Sequence, residues 1–439
     1  MPSATTMARI TPTDDAEPVA VTASNLSNLR KELVQMISSG ELTSGSNLTS
    51  IGLPASFMLP FSTTSLTLHA AALEAQGMGR VVTEADPLRR MLFILSNKLC
   101  ATAHTLTASM MKPYNPIIGE LCIAEAANAN IPGQNDQAGR RKWALLGREP
   151  GSSPVPAWRA MVEQVSHHPP ITASAFEGQA DGGSFAQTVS TIAVPTFCGN
   201  YVEVSMKIFG AQSQIHLPDG STEVYIVKSL PSIYLRGVMG IGPSFCEWAG
   251  ELLVECQTTG LVGRVEYKPA GYFGRGERHS VSGAVTLANK RDVKLCEISG
   301  NWTRSVVAKM AADGAVLQVF AAPAGKQPHV EMADLPKPLP YTVPAHSLLW
   351  QRHPDVVWRE LTSALHAEDW NAARAAKASV EQGRREEKKA MTAAGQTWET
   401  SLFRPDTATG DKARVPWIVR EGAFDRAFDR QAKPPCRPM

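Results

Sequence analysis

Between Tyr201 and Phe320 apolar and polar residues alternate with period two in run after run, and few folds accommodate that pattern. In the first run Val202, Val204, Met206 and Ile208 alternate with Glu203, Ser205 and Lys207, and the alternation returns over 251–256, 261–267, 281–287, 293–298 and 315–320. Successive side chains of a strand point to opposite faces, so each run makes a strand with one apolar face. Turn signals such as Pro218-Asp219-Gly220 and Gly274-Arg275-Gly276 separate the runs, which predicts an antiparallel meander. A long meander has to curl or close to hide its edges. A large antiparallel barrel with an apolar interior, able to enclose a ligand cavity, is the economical result.

Helical spacing flanks this region. Leu26, Leu29, Leu33 and Met36 form one apolar stripe before Gly40, and this short helix is either packed on the core or a mobile lid hinged over Thr43 to Ser50. A second helix opens at Asp86-Pro87, carries Leu88, Leu92, Leu95 and Leu99 on one face, and leads into Lys112. From His346 helices return, one marked by Trp358, Leu361 and Leu365, another by Trp370, Ala373, Ala376 and Val380 and ending at Gly395. The fold class is therefore α+β. Residues 1–23 read as a disordered tail, 24–50 as lid and hinge, 51–340 as helices plus barrel core, 341–421 as a C-terminal helical subdomain and 422–439 as a loose tail.

Composition excludes several classes. Forty-three Lys and Arg stand against 41 Asp and Glu, a net charge of +2, so nothing predicts a long-range pull toward nucleic acid. The 7 cysteines form no C-x-x-C pair, which fits a reducing compartment and argues against a disulfide framework or structural zinc. Met1 to Ala23 lacks the apolar core of a secretion signal, and no run approaches the roughly 20 apolar residues that cross a bilayer. Membrane contact would be peripheral and transient. Neither a G-x-S-x-G elbow, a phosphate-binding P-loop nor H-E-x-x-H occurs, so no catalytic residues, metal site or cofactor is expected.

Three strings remain. Glu163-Gln164-Val165-Ser166-His167-His168-Pro169-Pro170 presents two imidazoles from a stiff, extended backbone. On an extended chain His167 and His168 point to opposite sides, which suits gripping a large anion better than chelating one metal. Met111-Lys112-Pro113-Tyr114-Asn115-Pro116-Ile117-Ile118-Gly119-Glu120 leaves Lys112 and Asn115 as a charge and an amide donor on a turn braced by prolines; by itself it is also a helix-ending loop with a solvated lysine. Lys377, Glu381 and Arg385 lie along one helix face, which by itself is an ordinary salt-bridge ladder.

Together these strings resemble the signature elements of the oxysterol-binding-protein-related family, over about Leu53 to Phe403. The chain looks like a short, fungal-type member that consists of the lipid-binding domain alone, with no pleckstrin-homology-like segment, ankyrin repeat or acidic two-phenylalanine tract. The resemblance implies a large incomplete antiparallel β-barrel enclosing a lipid cavity, with an N-terminal helical lid and a C-terminal helical subdomain. It implies a headgroup site for phosphatidylinositol 4-phosphate made by Lys112, Asn115, His167, His168, Lys377, Glu381 and Arg385. The implied activity is exchange of that lipid for phosphatidylserine or a sterol between membranes, by a cytoplasmic monomer that visits sites such as endoplasmic-reticulum contacts. Leu53 to Pro60 and Tyr114 resemble the phosphatidylserine-carrying branch more than the sterol carriers. The rival reading is a sensor or scaffold that binds the phosphoinositide without net transfer. Two departures stand out: Arg384 occupies the place where the family has glutamine, so Arg384 could substitute for Arg385, and Gly383 weakens the helix there by roughly 1 kcal/mol relative to alanine. The polar segment 128–141 has no assigned role.

Overall fold

Two long helices pack on the inner face of the sheet. In the computed structural model, which describes residues 31, 34–50, 58–105, 112–126, 157–239, 244–271, 277–321, 350–396, 398–407 and 416–428, helix α1 spans Thr63–Thr83 and α2 spans Pro87–Thr105. The Ser62 side chain caps α1 by accepting from the Thr64 N–H, and Asp86 caps α2 by accepting from the Leu88 N–H at 2.8 Å, with Pro87 in the first turn. The two helices touch at Gly77, where a Cβ would overlap the Asn97 side chain. The start of α2 agrees with the expectation from Asp86-Pro87. Helix α1 was not legible, because it is buried on several sides at once and so carries no single apolar stripe: Leu68, Ala71, Ala72, Ala75, Met78, Val81 and Val82 are all buried.

Strands β1 (Met58–Ser62) and β2 (Lys112–Tyr114) form a small parallel pair. The large sheet comprises β3 (Leu121–Ala126), β4 (Ala157–His167), β5 (Pro170–Ala180), β6 (Gly183–Phe197), β7 (Tyr201–His216), β8 (Thr222–Ser229), β9 (Ser232–Arg236), β10 (Phe245–Cys256), β11 (Leu261–Lys268), β12 (Ser280–Leu287), β13 (Lys290–Asn301), β14 (Ser305–Met310) and β15 (Val316–Ala321). These 13 strands run antiparallel in the order β15-β14-β13-β12-β11-β10-β8-β7-β6-β5-β4-β3, with β9 pairing both β10 and β7. The expected meander is present, and it begins well before Tyr201. Strands β4 and β5 escaped the period-two search because both their faces are buried: Ala160 and Val162 meet the helices inside, while Met161 and Val165 meet the C-terminal segment outside.

Polar clasps join the helices to the strands around them. Arg90 on α2 makes two hydrogen bonds to the Glu223 carboxylate, at 2.6 and 2.9 Å, and Tyr225 donates to the same group. Lys98 pairs with Glu74, and Gln187 of β6 donates to that carboxylate at 2.8 Å. The Trp248 indole donates to the Thr102 carbonyl, and Ser96 donates to the Val319 carbonyl of β15. The sheet therefore curls around one helical pair as an incomplete barrel. On β7 the inward positions Ala211, Ser213 and Ile215 are buried, whereas Val204, Met206 and Ile208, nearer Tyr201, are only half-buried. Among the described residues the helices pack against the end of the inner face that carries Ala211 and Ile215.

Leu26, Leu29 and Leu33 lie outside the described residues, as do the 1–23 tail, the 128–141 segment and the turn at Gly274 to Gly276. Residues 34–38 are helical, Gly40 ends the turn with φ +79°, and Met36 packs with Leu42, Leu48, Phe197, Val202 and Val238 at the β6–β7 turn. The expected hinge is bonded to that turn: Gly45 N–H donates to the Phe197 carbonyl at 2.7 Å, and Phe197 N–H donates to Ser46 at 2.9 Å.

The C-terminal helices are α3 (Pro354–Val357), α4 (Arg359–His366) and α5 (Trp370–Ala393), the last capped by Asp369 and closed by Gly395 at φ +67°. Beyond them the chain crosses the outer face of β3–β5 through β16 (Phe403–Pro405), β17 (Trp417–Val419) and α6 (Ala423–Phe428). The loose tail expected from Gly422 is therefore corrected for residues 423–428. Ala423, Phe424, Ala427 and Phe428 recur at helical spacing and are buried against β3–β5, an anchor that the Pro- and Arg-rich composition conceals. No helix among the described residues is long and apolar enough to cross a membrane. Phe403, fully buried in that outer cluster, tests the anchor. Phe403→Ala is expected to lower unfolding free energy by about 3–5 kcal/mol in a urea titration.

Candidate anion-binding site

The first two strings lie side by side because one runs into a strand that pairs with the other. Gly119 N–H donates to the Gln164 carbonyl at 2.9 Å, Gln164 N–H donates to the Glu120 carbonyl at 2.8 Å, and Leu121 pairs with Glu163 as β3 joins β4. Gly119 has φ +71°, and a Cβ there would overlap Trp398 and Arg352, so glycine is required on both counts.

The carboxylates that end and begin these strings turn inward. Glu120 is fully buried and accepts from Ser62 Oγ, Thr64 Oγ1 (2.5 Å), Trp358 Nε1 (2.6 Å) and the Ile117 N–H (3.3 Å). Burial pushes its pKa up, and the four donors oppose that shift. Glu163 is also fully buried and accepts from the backbone N–H groups of Ser401 (2.7 Å) and Leu402 (2.8 Å). Tyr114 belongs to the same scaffold: it is buried 5.3 Å from the Trp358 ring, with its hydroxyl 3.0 Å from Thr362 Oγ1. Neither carboxylate was given a role at the level of sequence. The available signal was a glutamate closing each run of apolar neighbours, where a charge needs dedicated donors.

The cations and amide donors turn outward. His167 and His168 sit at the exposed tip of the β4–β5 hairpin, where His167 pairs with Pro170 and the His168–Pro169 bond is cis. Their rings do not diverge as expected for extended chain; the centroids are 4.5 Å apart, edge to face. Side-chain alternation holds along a straight strand and fails where the chain reverses, so both imidazoles share one side. Lys112 is half-buried, 3.4 Å from Asn115 Oδ1.

Helix α5 supplies the opposite wall. Lys377 pairs with Glu381 at 2.8 Å, and Arg385, 70% exposed, lies 3.6 Å from the same carboxylate. Arg384 faces elsewhere: it donates to the Ile118 carbonyl at 2.5 Å, pairs with Glu387, and sits over the Trp398 ring. The geometry therefore leaves Arg385, and not Arg384, beside Glu381.

Electrostatics ties the three elements into one site. Burial, and then the positive charge of Lys377, lower the Lys112 pKa to about 8, against the pull of Glu381. The His167 pKa is lowered by desolvation, by His168 and by Lys388, again against Glu381. The charge of one carboxylate, Glu381, thus acts on the first loop, the histidine turn and the helix alike, and with Lys112, Lys377 and Arg385 around it this is a candidate anion site. The Glu120 knot supports this wall from behind. Trp358→Phe, which keeps the ring and removes the indole donor, is expected to cost about 1–3 kcal/mol in thermal or urea unfolding.

A family model described as Oxysterol-binding protein matches residues 35–427. Among curated relatives, oxysterol-binding protein-related protein 4C of Arabidopsis thaliana is 25% identical over 296 residues, covering 67% of this chain and 65% of the relative. Oxysterol-binding protein-related protein 5 of Homo sapiens is 24% identical over 370 residues, covering 84% of this chain but 37% of the relative. The chain thus spans less than two thirds of the length of either. The fold is similar to that of the Osh1 ORD domain in complex with ergosterol, with TM-score 0.64 and 18% identity over 93% of this chain and 98% of that one. It is also similar to the Osh3 ORD in complex with PI(4)P from Saccharomyces cerevisiae, with TM-score 0.59 and 18% identity over 94% of this chain and 95% of that one. With its signature strings assembled around one sheet and a family match spanning most of its length, the chain belongs to the oxysterol-binding protein family.

Proposed function

We propose that the protein transfers lipids between membranes, binding phosphatidylinositol 4-phosphate by its headgroup and exchanging it for a second lipid held in the same interior. The observation that carries this reading is the pairing of Lys377 and Arg385 with the one carboxylate of Glu381, near enough to Lys112 and His167 for its charge to act on both. Lys112, Lys377 and Arg385 set against one carboxylate suit a phosphomonoester, and Asn115, His167 and His168 add donors around it. The Osh3 ORD binds PI(4)P, which supports the same ligand here. The half-buried apolar positions Val204, Met206 and Ile208 provide a surface for acyl chains or a ring system, and the Met36 segment packs at their rim as a lid would.

The second lipid is phosphatidylserine or a sterol. Structures of the Osh1 ORD hold ergosterol and cholesterol. Of the two features that suggested phosphatidylserine, Tyr114 packs against Trp358 within the scaffold, and 53–60 lies mostly outside the described residues. On this reading a cytoplasmic monomer docks transiently on bilayers, such as those at endoplasmic-reticulum contacts.

In extraction of labelled phosphatidylinositol 4-phosphate from liposomes, His167→Ala with His168→Ala is expected to lose roughly 100-fold in affinity, two charge-assisted hydrogen bonds at about 1.5 kcal/mol each. Wild-type extraction by that double variant would refute the site. Transfer between two liposome populations, with mass spectrometry of the co-purified lipid, separates a carrier from a sensor and identifies the cargo. The pH dependence follows from Lys112. Its pKa in the empty site is about 8 and rises when a phosphate binds, so affinity is full below pH 8 and falls as pH climbs past it. Lys112→Arg should flatten this profile, because arginine keeps its charge.

A further inference from the structure

Helix α5 carries one more cation on the wall that faces the histidine turn. At 100° per residue, Lys388 lies only about 20° around the helix from Lys377 and about 20° from Glu381, nearer the middle of that face than Arg385 at about 80°. Arg384, one turn before it, is bound to the Ile118 carbonyl and holds this stretch of α5 against the Lys112–Glu120 loop. The Lys388 side chain is exposed, and its charge reaches His167. Among the described residues no carboxylate pairs with its ammonium. The acids nearby on α5 are engaged: Glu381 by Lys377 and Arg385, Glu387 by Arg384, and Glu386 by Gln382.

Charge balance points the same way. Lys112, Lys377 and Arg385 set against Glu381 leave the site at +2 apart from its histidines, and Lys388 raises this to +3. A phosphatidylinositol monophosphate headgroup presents one phosphodiester charge and a monoester of about −1.5 to −2, close to −3 in all. We propose that Lys388 is a further headgroup-binding residue, donating to a phosphoryl oxygen of an inositol phosphate on the His167 side of the site. This rests on the phosphoinositide reading above.

The test uses a soluble probe, dioctanoyl phosphatidylinositol 4-phosphate, titrated calorimetrically into the full chain. Lys388→Gln should weaken binding about tenfold, one charge-assisted hydrogen bond, and Lys388→Arg should restore most of it. Lys389→Gln, an exposed charge about 100° further round the helix, should change binding less than twofold. Without ligand, the His167 resonance should titrate at higher pH in Lys388→Gln, a shift that a merely structural role would not produce. Unchanged probe binding in Lys388→Gln, with binding lost in the double histidine variant, overturns the proposal and leaves the headgroup reading standing. Weakening confined to vesicles rich in anionic lipid also overturns it, since Lys388 would then serve the bilayer surface. Failure of the wild-type chain to bind the probe overturns the headgroup reading and Lys388 with it.

Discussion

The buried carboxylate of Glu120 is the contact on which the rest of the site depends. A charge taken out of water is costly unless it is saturated with hydrogen bonds. Here the donors come from the start of α1 (Ser62 and Thr64), from the loop itself (Ile117 N–H) and from the C-terminal helices (Trp358). Satisfying that one group fixes three separate stretches of chain in mutual register. Glu163, next to it across the β3–β4 ladder, ties the segment at Ser401 and Leu402 to the same place. Each string is thus built in two directions, with an inward carboxylate that holds the scaffold and outward cations and donors that form the site.

The scaffold is needed because the outward groups repel one another. Lys112 is pressed by Lys377, and His167 by His168 and Lys388, with Glu381 the shared counter-charge. Left on mobile loops, these cations would move apart. Held by β2, by a hairpin turn and by a helix of 24 residues, they stay close, so the proposed anion would relieve the repulsion without having to order the site first.

The fold was legible where burial is one-sided. Strands such as β11 alternate because one face meets the core and the other meets solvent, whereas α2, buried nearly all round, was legible from its Asp86-Pro87 cap. Burial on both sides erased the signal in β4, β5 and α1, where neither period two nor a single helical stripe survives. The strings marked Lys112, His167 and Lys377 as candidates, and the charge of one carboxylate, Glu381, acts on all three. Arg384 and Arg385 were not separable, since only the approach of Ile118 and Trp398 draws one inward and leaves the other at Glu381.

The amino-acid order by itself determined that an antiparallel barrel with helical flanks would form and which strings are the candidates for anion chemistry, because alternation, caps and proline-braced turns act within a few residues of one another. The tertiary structure alone decided the side on which each group would act. It brought the histidine rings together at a reversal of the chain, turned Tyr114 and both glutamates into the scaffold, and laid Lys388 on the wall of α5 that faces the turn. Those outcomes depend on contacts between residues 238 and 266 positions apart, Glu120 with Trp358 and Ile118 with Arg384, and such contacts exist only once the sheet has curled around its helices.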